Sequence, residues 1–334
     1  MVSKRRLPYS VETVATLIDN QPDDLFVTCN SFEERCLGVP KGFARDYQSR
    51  YSCVFRYEPN PGEDQKFEED RKRNFQTLGA TLQGHTREQV IPVFCNRQHV
   101  GDGIGQFKRL FEDFLAPHGC SVVTIDITCF TKLYLFELLY FLAEEAKLDG
   151  VRIVYNQPQA YGTANLTEGI GEIFHIPHFA GSFLPNRETV LLVFVGFETE
   201  RALGIWEHYE PFKTIVVLSD PPMREGYLER AQDKNAFLLS RPAVISTRMN
   251  PYNPFEIAQQ LEKLYWEKCT DGGREAYNVG VISLGTKVQC VGLFKFWRNH
   301  KNVRITYAFP QTYGKGYSNR KMGKNLVFNL RFAQ

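Results

Sequence analysis

The chain has 334 residues, a length that predicts two domains of ordinary size. With 43% hydrophobic and 23% charged residues, its composition excludes a largely disordered chain. No apolar run approaches the roughly 18 residues of a membrane helix, and the basic start MVSKRRLPYS lacks the apolar stretch of a secretory signal. The eight cysteines form no CxxC pair, which predicts buried, reduced thiols in a cytoplasmic protein without a metal site.

The first half of the chain alternates compact apolar runs with helical patterns. After a short helix over Ser10–Asp19, we predict five strands, at Leu25–Cys29, Cys53–Tyr57, Val90–Cys95, Ser121–Ile127 and Val151–Tyr155. Helices are predicted at Glu63–Gln83, Gly105–Leu115 and Leu133–Ala146. Strands that are apolar throughout are typical of a parallel sheet covered by helices, so residues 1–162 are expected to form an α/β, Rossmann-like unit.

The second half repeats this order. We predict strands at Val190–Val195, Thr214–Leu218, Ala243–Thr247, Val279–Ser283 and Val303–Tyr307, with helices at Met223–Asn235 and Phe255–Trp266. Residues 163–188 show little periodicity and are interpreted as a linker or crossing segment. Residues 189–334 are then expected to form a second Rossmann-like unit that includes a basic C-terminal segment.

Three segments recur in the same order in both halves. FEERCLG (32–38) matches FETERALG (197–204) with one inserted residue, and Thr131-Lys132 matches Thr286-Lys287. The third pair is VRIVYNQPQAYG (151–162) and VRITYAFPQTYG (303–314), which agree at eight of twelve positions. Because polar residues are retained in order, we interpret the chain as a tandem duplication with pseudo-twofold internal symmetry.

The repeated polar residues all follow strands, where open parallel sheets bind ligands. Each Thr-Lys pair is either an N-cap with a solvated lysine or a phosphate site at a helix N-terminus. Each arginine, Arg35 or Arg201, either pairs with a neighbouring glutamate or faces the ligand. The Pro-Gln-x-Tyr-Gly tails are either rigid turns or supply base contacts through Gln159, Tyr161, Gln311 and Tyr313.

The C-terminal part of the chain is strongly basic. Residues 276–334 contain ten Lys or Arg and no Asp or Glu, whereas the rest of the chain is net acidic. This asymmetry predicts contact with an anion, which is a nucleotide, a nucleic acid or an acidic protein partner. Aromatic residues suited to base stacking are interleaved there, namely Phe296, Trp297, Tyr307, Tyr313 and Tyr317.

Two fused Rossmann-like units with Thr-Lys after the fourth strand resemble the CARF and SAVED sensor domains of prokaryotic antiviral systems. The resemblance covers roughly residues 20–330 and concerns architecture and site placement. It implies a cyclic oligonucleotide bound across a pseudo-twofold cleft, with phosphate contacts from Thr131, Lys132, Thr286 and Lys287. Such sensors usually carry a fused effector, and none is recognised in this sequence, so a separate effector protein is expected.

The leading hypothesis is therefore a nucleotide-sensing or scaffold subunit of a defence system, with no cofactor. One alternative is an enzyme that acts on a nucleotide or nucleic-acid phosphodiester. Its candidate catalytic residue is Asp126, which has no counterpart in the second copy, where Val281 stands. The other alternative is a nucleic-acid-binding subunit that uses the basic segment at 276–334.

Overall fold

A computed structural model describes residues 12–14, 22–59, 65–97, 99–162, 167–313 and 322–332 of the chain. The chain divides into two compact units. The first unit comprises Met1–Tyr161 and Ser318–Gln334, and the second comprises Gly162–Tyr317. Within the described residues, no helix is both long enough and apolar enough to cross a bilayer.

The first unit is built on a seven-stranded sheet. From its N-terminal part come β1 (Glu12–Val14), β2 (Asp23–Asn30), β3 (Ser49–Tyr57), β4 (Thr86–Cys95), β5 (Val123–Asp126) and β6 (Gly150–Pro158). The seventh strand, β15 (Met322–Arg331), comes from the C-terminal end of the chain. The strand order is β1-β15-β6-β5-β2-β3-β4, with β2 to β6 mutually parallel and β15 antiparallel to both its neighbours.

Helices cover this sheet and close its core. They are α1 (Gly38–Lys41), α2 (Gln65–Gln83), α3 (Val100–Leu110) and α4 (Lys132–Tyr140). The central strand β2 has an apolar middle, in which Leu25, Phe26 and Val27 are fully buried. Tyr47 and Leu78 are likewise buried and pack in the same core as Phe26. Burial of this strand from both sides agrees with the run of apolar residues at its middle.

The second unit contains a six-stranded sheet and a two-stranded ribbon. Its strands are β7 (Thr167–Glu168), β8 (Glu172–His175), β9 (Thr189–Phe194), β10 (Lys213–Ser219), β11 (Val244–Met249), β12 (Asn278–Ser283), β13 (Arg304–Phe309) and β14 (Thr312–Tyr313). Its helices are α5 (Thr199–Tyr209), α6 (Tyr227–Lys234), α7 (Ala236–Leu239), α8 (Pro254–Lys268) and α9 (Lys287–Trp297). The large sheet has the order β11-β10-β9-β12-β13-β8, and β14 pairs with β7 in the ribbon.

The five parallel strands follow the same path in both units. Counted along the chain within each unit, their order across the sheet is third, second, first, fourth, fifth, which is the Rossmann order. In both units the fifth strand also carries an antiparallel neighbour, β15 in one and β8 in the other. The predicted α/β architecture of two Rossmann-like units is confirmed, whereas duplication from a common ancestor stays a prediction.

Three sequence-based expectations are corrected. The N-terminal helix predicted over Ser10–Asp19 is a strand at Glu12–Val14, and the other residues of that range lie outside the described residues. The segment 163–188 is part of the second unit, because β8 pairs with β13. The chain end leaves the second unit, because β15 pairs with β6 of the first sheet. Each error concerns pairing with a strand far away in sequence, which a local pattern does not encode.

Candidate functional site

The repeated Phe-Glu-x-Arg segment of the first unit forms a buried ion pair rather than an open site. Arg35 lies in the 3-10 turn Glu34–Leu37 that follows β2, and its Nε donates to Glu33 Oε2 at 2.9 Å. Its Nη1 donates to the carbonyl oxygen of Asn156 in β6 at 3.2 Å. These contacts fasten the loop after the first parallel strand to the end of the fifth.

The second unit repeats this arrangement. Arg201 Nη1 donates to Glu198 Oε1 at 2.8 Å, and its Nη2 donates to the carbonyl oxygen of Ala308 in β13. In the repeated sequence, Ala308 occupies the position that Asn156 occupies in the first copy. We call each set a Glu–Arg clamp, formed by Glu33, Arg35 and Asn156 in the first unit and by Glu198, Arg201 and Ala308 in the second.

Burial decides between the two interpretations of these arginines. Arg35 is 2% exposed and Arg201 is 6% exposed. Burial by itself would lower the pKa of Arg35, but the Glu33 carboxylate acts together with Tyr155, Cys129 and Tyr161 and raises that pKa well above its usual value. Because each guanidinium is engaged by its own carboxylate and by a strand carbonyl, the geometry favours a structural role over ligand contact.

The repeated threonines cap helices. Thr131 is the N-cap of α4, where its Oγ1 accepts from the Tyr134 amide at 3.4 Å and its own amide donates to Tyr57 Oη at 3.0 Å. Thr286 is the N-cap of α9 and forms a capping box with Gln289. Each threonine thus accepts from one free amide in the first turn of its helix, which favours the N-cap interpretation.

Lys132 and Lys287 begin these two helices, as the sequence predicts. Both residues are half-buried and both have contacts within the protein. The structure therefore puts each lysine next to its capping threonine, and neither lysine lines the two clefts described below. Their role as phosphate contacts stays a prediction.

The Pro-Gln-x-Tyr-Gly tails leave the sheets as turns. Gln159 and Gln311 are exposed, and Tyr161 is half-buried near Arg35, whose pKa its hydroxyl helps to raise. Tyr313 pairs through its backbone with Thr167 in the β14–β7 ribbon, and its side chain lies outside the description. In the first unit, the structure thus brings one residue of the tail, Tyr161, to the Glu–Arg clamp.

Asp126, the candidate catalytic residue, is buried. The residue is 1% exposed. Its carboxylate accepts hydrogen bonds from Thr28 Oγ1 at 3.1 Å and from the Thr128 amide at 3.0 Å. Thr128 Oγ1 in turn accepts from the Asn156 amide at 2.8 Å. The side chain joins the ends of three neighbouring strands, which is the geometry of a structural carboxylate rather than of a catalytic group that touches substrate.

The open cleft of the first unit lies beyond the repeated segments, at the carboxyl ends of β3 and β4. It encloses about 210 Å³ and is lined by Arg56, Tyr57, Glu58, Pro59, Glu68, Arg71, Lys72 and Phe94. We call it the β3–β4 cleft. It brings three cations and two carboxylates together with an aromatic ring that is 51% exposed, that of Phe94.

Cation–aromatic contacts organise the β3–β4 cleft. The Arg56 guanidinium lies 4.9 Å from the ring centroid of Phe75 and 5.9 Å from that of Phe94. Tyr57 forms one wall of the cleft. The Arg97 guanidinium lies 5.1 Å from the centroid of the Tyr57 ring, and the Tyr57 hydroxyl accepts a hydrogen bond from the amide of Thr131, the N-cap of α4. The sequence contains one signal of this cleft, the basic run Arg71-Lys72-Arg73 in the helix predicted after the second strand.

A cleft in the second unit lies at a different place in the fold and has a different set of charged residues in its lining. It encloses about 240 Å³ at the start of α5 and is lined by Thr167, Phe197, Glu198, Thr199, Glu200, Arg201 and Lys234. Its two cations face two carboxylates, and Arg201 already pairs with Glu198 at 2.8 Å. This cleft is therefore less suited to an anion than the β3–β4 cleft.

The basic C-terminal stretch does not form the interleaved stacking surface that the sequence predicts. Phe296 and Trp297 are each 2% exposed and Tyr307 is 7% exposed, so these rings belong to the core of the second unit. The side chains of Tyr313 and Tyr317 lie outside the description. The expectation of a stacking surface is wrong for the three described rings, because α9 is buried on most of its surface and β13 is buried along nearly its whole length.

The cysteines behave as predicted within the described residues. All eight are free, seven are buried and Cys129 is half-buried. Burial raises the pKa of Cys95, Cys120 and Cys269 to about 12, so these thiols stay protonated near neutral pH. Among the described side chains, no group of three or more His, Cys, Asp or Glu residues is arranged to hold a metal ion.

Comparison with known proteins adds no relative to this geometry. No protein-family model matches the chain, and no curated protein matches it in sequence. The candidate site therefore rests on the structure alone.

Proposed function

We propose that this protein is a nucleotide-binding sensor or scaffold subunit, and that the β3–β4 cleft holds its phosphate-containing ligand. The observation that carries the proposal is the meeting of Arg56, Arg71 and Lys72 with the exposed ring of Phe94 in one cleft. Guanidinium and ammonium groups bind phosphate, and an exposed aromatic ring stacks on a base.

The position and size of the cleft support this ligand class. The cleft lies outside the carboxyl ends of parallel strands, which is where open α/β sheets bind nucleotides. Its volume of about 210 Å³ is below the roughly 300–1,000 Å³ of a pocket that encloses a whole drug-sized ligand. The cleft therefore suits one base and phosphate of a nucleotide, whether free or part of a cyclic oligonucleotide.

The wider role in antiviral defence is part of the same proposal. Two consecutive sheets with the Rossmann strand order are what the resemblance to CARF and SAVED sensors requires. A separate effector protein would then receive the signal. Eight free cysteines favour a reducing compartment such as the cytoplasm.

Titration calorimetry of the purified protein tests the proposal. The panel is inorganic phosphate, mononucleotides, cyclic oligonucleotides and single-stranded RNA, each at two salt concentrations. We expect a nucleotide to bind in preference to phosphate alone, and Phe94→Ala to weaken it by about 5- to 100-fold, because one base-stacking contact is worth about 1–3 kcal/mol.

The matched control is Phe237→Ala. Phe237 is also 51% exposed and also carries an arginine, Arg241, over its ring at 4.0 Å, but it lies in the second unit. This variant is expected to bind like the unmodified protein. The proposal fails if no nucleotide binds. Tight binding of RNA alone, with an affinity that falls steeply with salt, would instead indicate a nucleic-acid-binding subunit.

A further inference from the structure

The Glu68 carboxylate already lies beside the cations of the β3–β4 cleft, Arg56, Arg71 and Lys72, which we call its cationic end. Glu68 and Lys72 stand one turn apart on α2, and Lys72 Nζ lies 2.7 Å from Glu68 Oε1. Both side chains line the cleft, together with Arg71, which is only 3% exposed. The ammonium group that is most open to an incoming phosphate is thus paired with an anion of the protein itself.

The other cations of the cleft act on the same carboxylate. The pKa of Glu68 is lowered, first by its hydrogen bond and charge interaction with Lys72 and then by Arg71 and Arg56. The carboxylate therefore stays ionised within the combined field of all three cations. A phosphate that entered this end of the cleft would meet the same field and the same hydrogen-bond donor.

We propose that Glu68 is a built-in competitor for the phosphate subsite, and that a nucleotide phosphate displaces it from Lys72 while the base stacks on Phe94. This inference rests on the proposed function, because it assigns the parts of the ligand to parts of the same cleft. Displacement is feasible because Glu68 and Lys72 are partly exposed, at 38% and 61% of their side chains. An exposed ion pair one helical turn apart contributes little to stability, so a ligand can replace one of its partners.

The cleft has two proposed subsites, the cations Arg56, Arg71 and Lys72 for a phosphate and the Phe94 ring for a base. Each subsite binds a different part of the ligand. Inorganic phosphate can satisfy only the cationic end, whereas a nucleoside without phosphate can satisfy only the Phe94 ring. A nucleotide can occupy both subsites. Because its base and phosphate are covalently linked, it should bind more tightly than either part alone. A change at Glu68 should therefore alter the binding of phosphate and of nucleotide alike, whereas a change at Phe94 should alter only that of the nucleotide.

The test is calorimetry of Glu68→Gln with the nucleotide panel and with inorganic phosphate. We expect affinity for both to rise about 2- to 5-fold, because the amide keeps the shape of the side chain but removes the competing charge. Lys72→Gln should weaken both ligands. The matched control is Glu69→Gln, since Glu69 is the next residue on the same helix and interacts with Gln65 outside the cleft lining.

The outcomes separate this inference from the proposed function. If the unmodified protein binds a nucleotide and Glu68→Gln binds it equally or more weakly, the competitor role is wrong and the nucleotide site stands. If only Glu68→Gln binds, the competitor role is supported in its strongest form. If neither protein binds any member of the panel while both remain folded by circular dichroism, both proposals are overturned.

Discussion

The two units share the same order of parallel strands, but the clefts found near their strand ends differ. Both have the same order of parallel strands, a Glu–Arg clamp on the fifth strand, and a threonine cap after the fourth. Some residues that line the β3–β4 cleft differ at the matching place in the second unit. There, Ser219-Asp220-Pro221 stands for Tyr57-Glu58-Pro59, and the buried Leu218 stands for Arg56.

This comparison predicts that the retained polar residues serve folding and that the proposed ligand site uses residues that differ between the units. A buried ion pair or an N-cap is needed by every copy of such a unit, so it persists in both. A ligand site is needed only where a ligand binds. Three sets of variants test this division, from the largest expected effect on stability to the smallest.

Breaking either clamp should have the largest effect. Arg35→Met and Arg201→Met each leave a buried glutamate without its partner, so each should reduce the free energy of unfolding by about 3–5 kcal/mol in urea denaturation. Replacing Glu33 by Gln together with Arg35→Met should recover most of the loss, since no isolated charge then remains buried. A loss below about 1 kcal/mol in one unit only would show that its arginine is available for a ligand after all.

The unmatched Asp126 tests the difference between the units. Asp126→Val introduces the residue of the second unit and removes the acceptor for Thr28 and for the Thr128 amide. We expect a loss of about 1–3 kcal/mol in the free energy of unfolding, with a smaller loss for Asp126→Asn, which keeps one acceptor oxygen. Nucleotide turnover that Asp126→Asn abolishes without any loss of stability would restore the enzyme hypothesis.

The caps should give the smallest effect. Thr131→Ala and Thr286→Ala each remove an N-cap oxygen and should each cost about 1 kcal/mol in thermal or urea unfolding, whereas the matching serine variants should cost little. Neither alanine variant should change nucleotide affinity in the β3–β4 cleft by more than about twofold. A large loss of affinity with unchanged stability would reinstate these threonines as phosphate contacts.

Local pattern was enough to find the ten parallel strands and most of their helices. Burial on both faces requires an uninterrupted apolar run, as in Leu25–Cys29 or Val279–Ser283, and that requirement is written in consecutive residues. The positions of Arg35 and Arg201 after the first strands were equally readable. Their role was not, because their acceptors on Asn156 and Ala308 lie more than 100 residues away.

The sequence by itself determined the fold class and the ends of strands at which polar residues would gather. Only the tertiary structure decided that β15 completes the first sheet, that the repeated glutamates and arginines pair with each other while the repeated threonines cap helices, and that the β3–β4 cleft forms away from them. The physical reason is that the cleft combines Arg56, Lys72 and Phe94 from two strands and a helix. The spacing of these residues along the chain does not predict that they line one cleft, because tertiary packing alone brings them together.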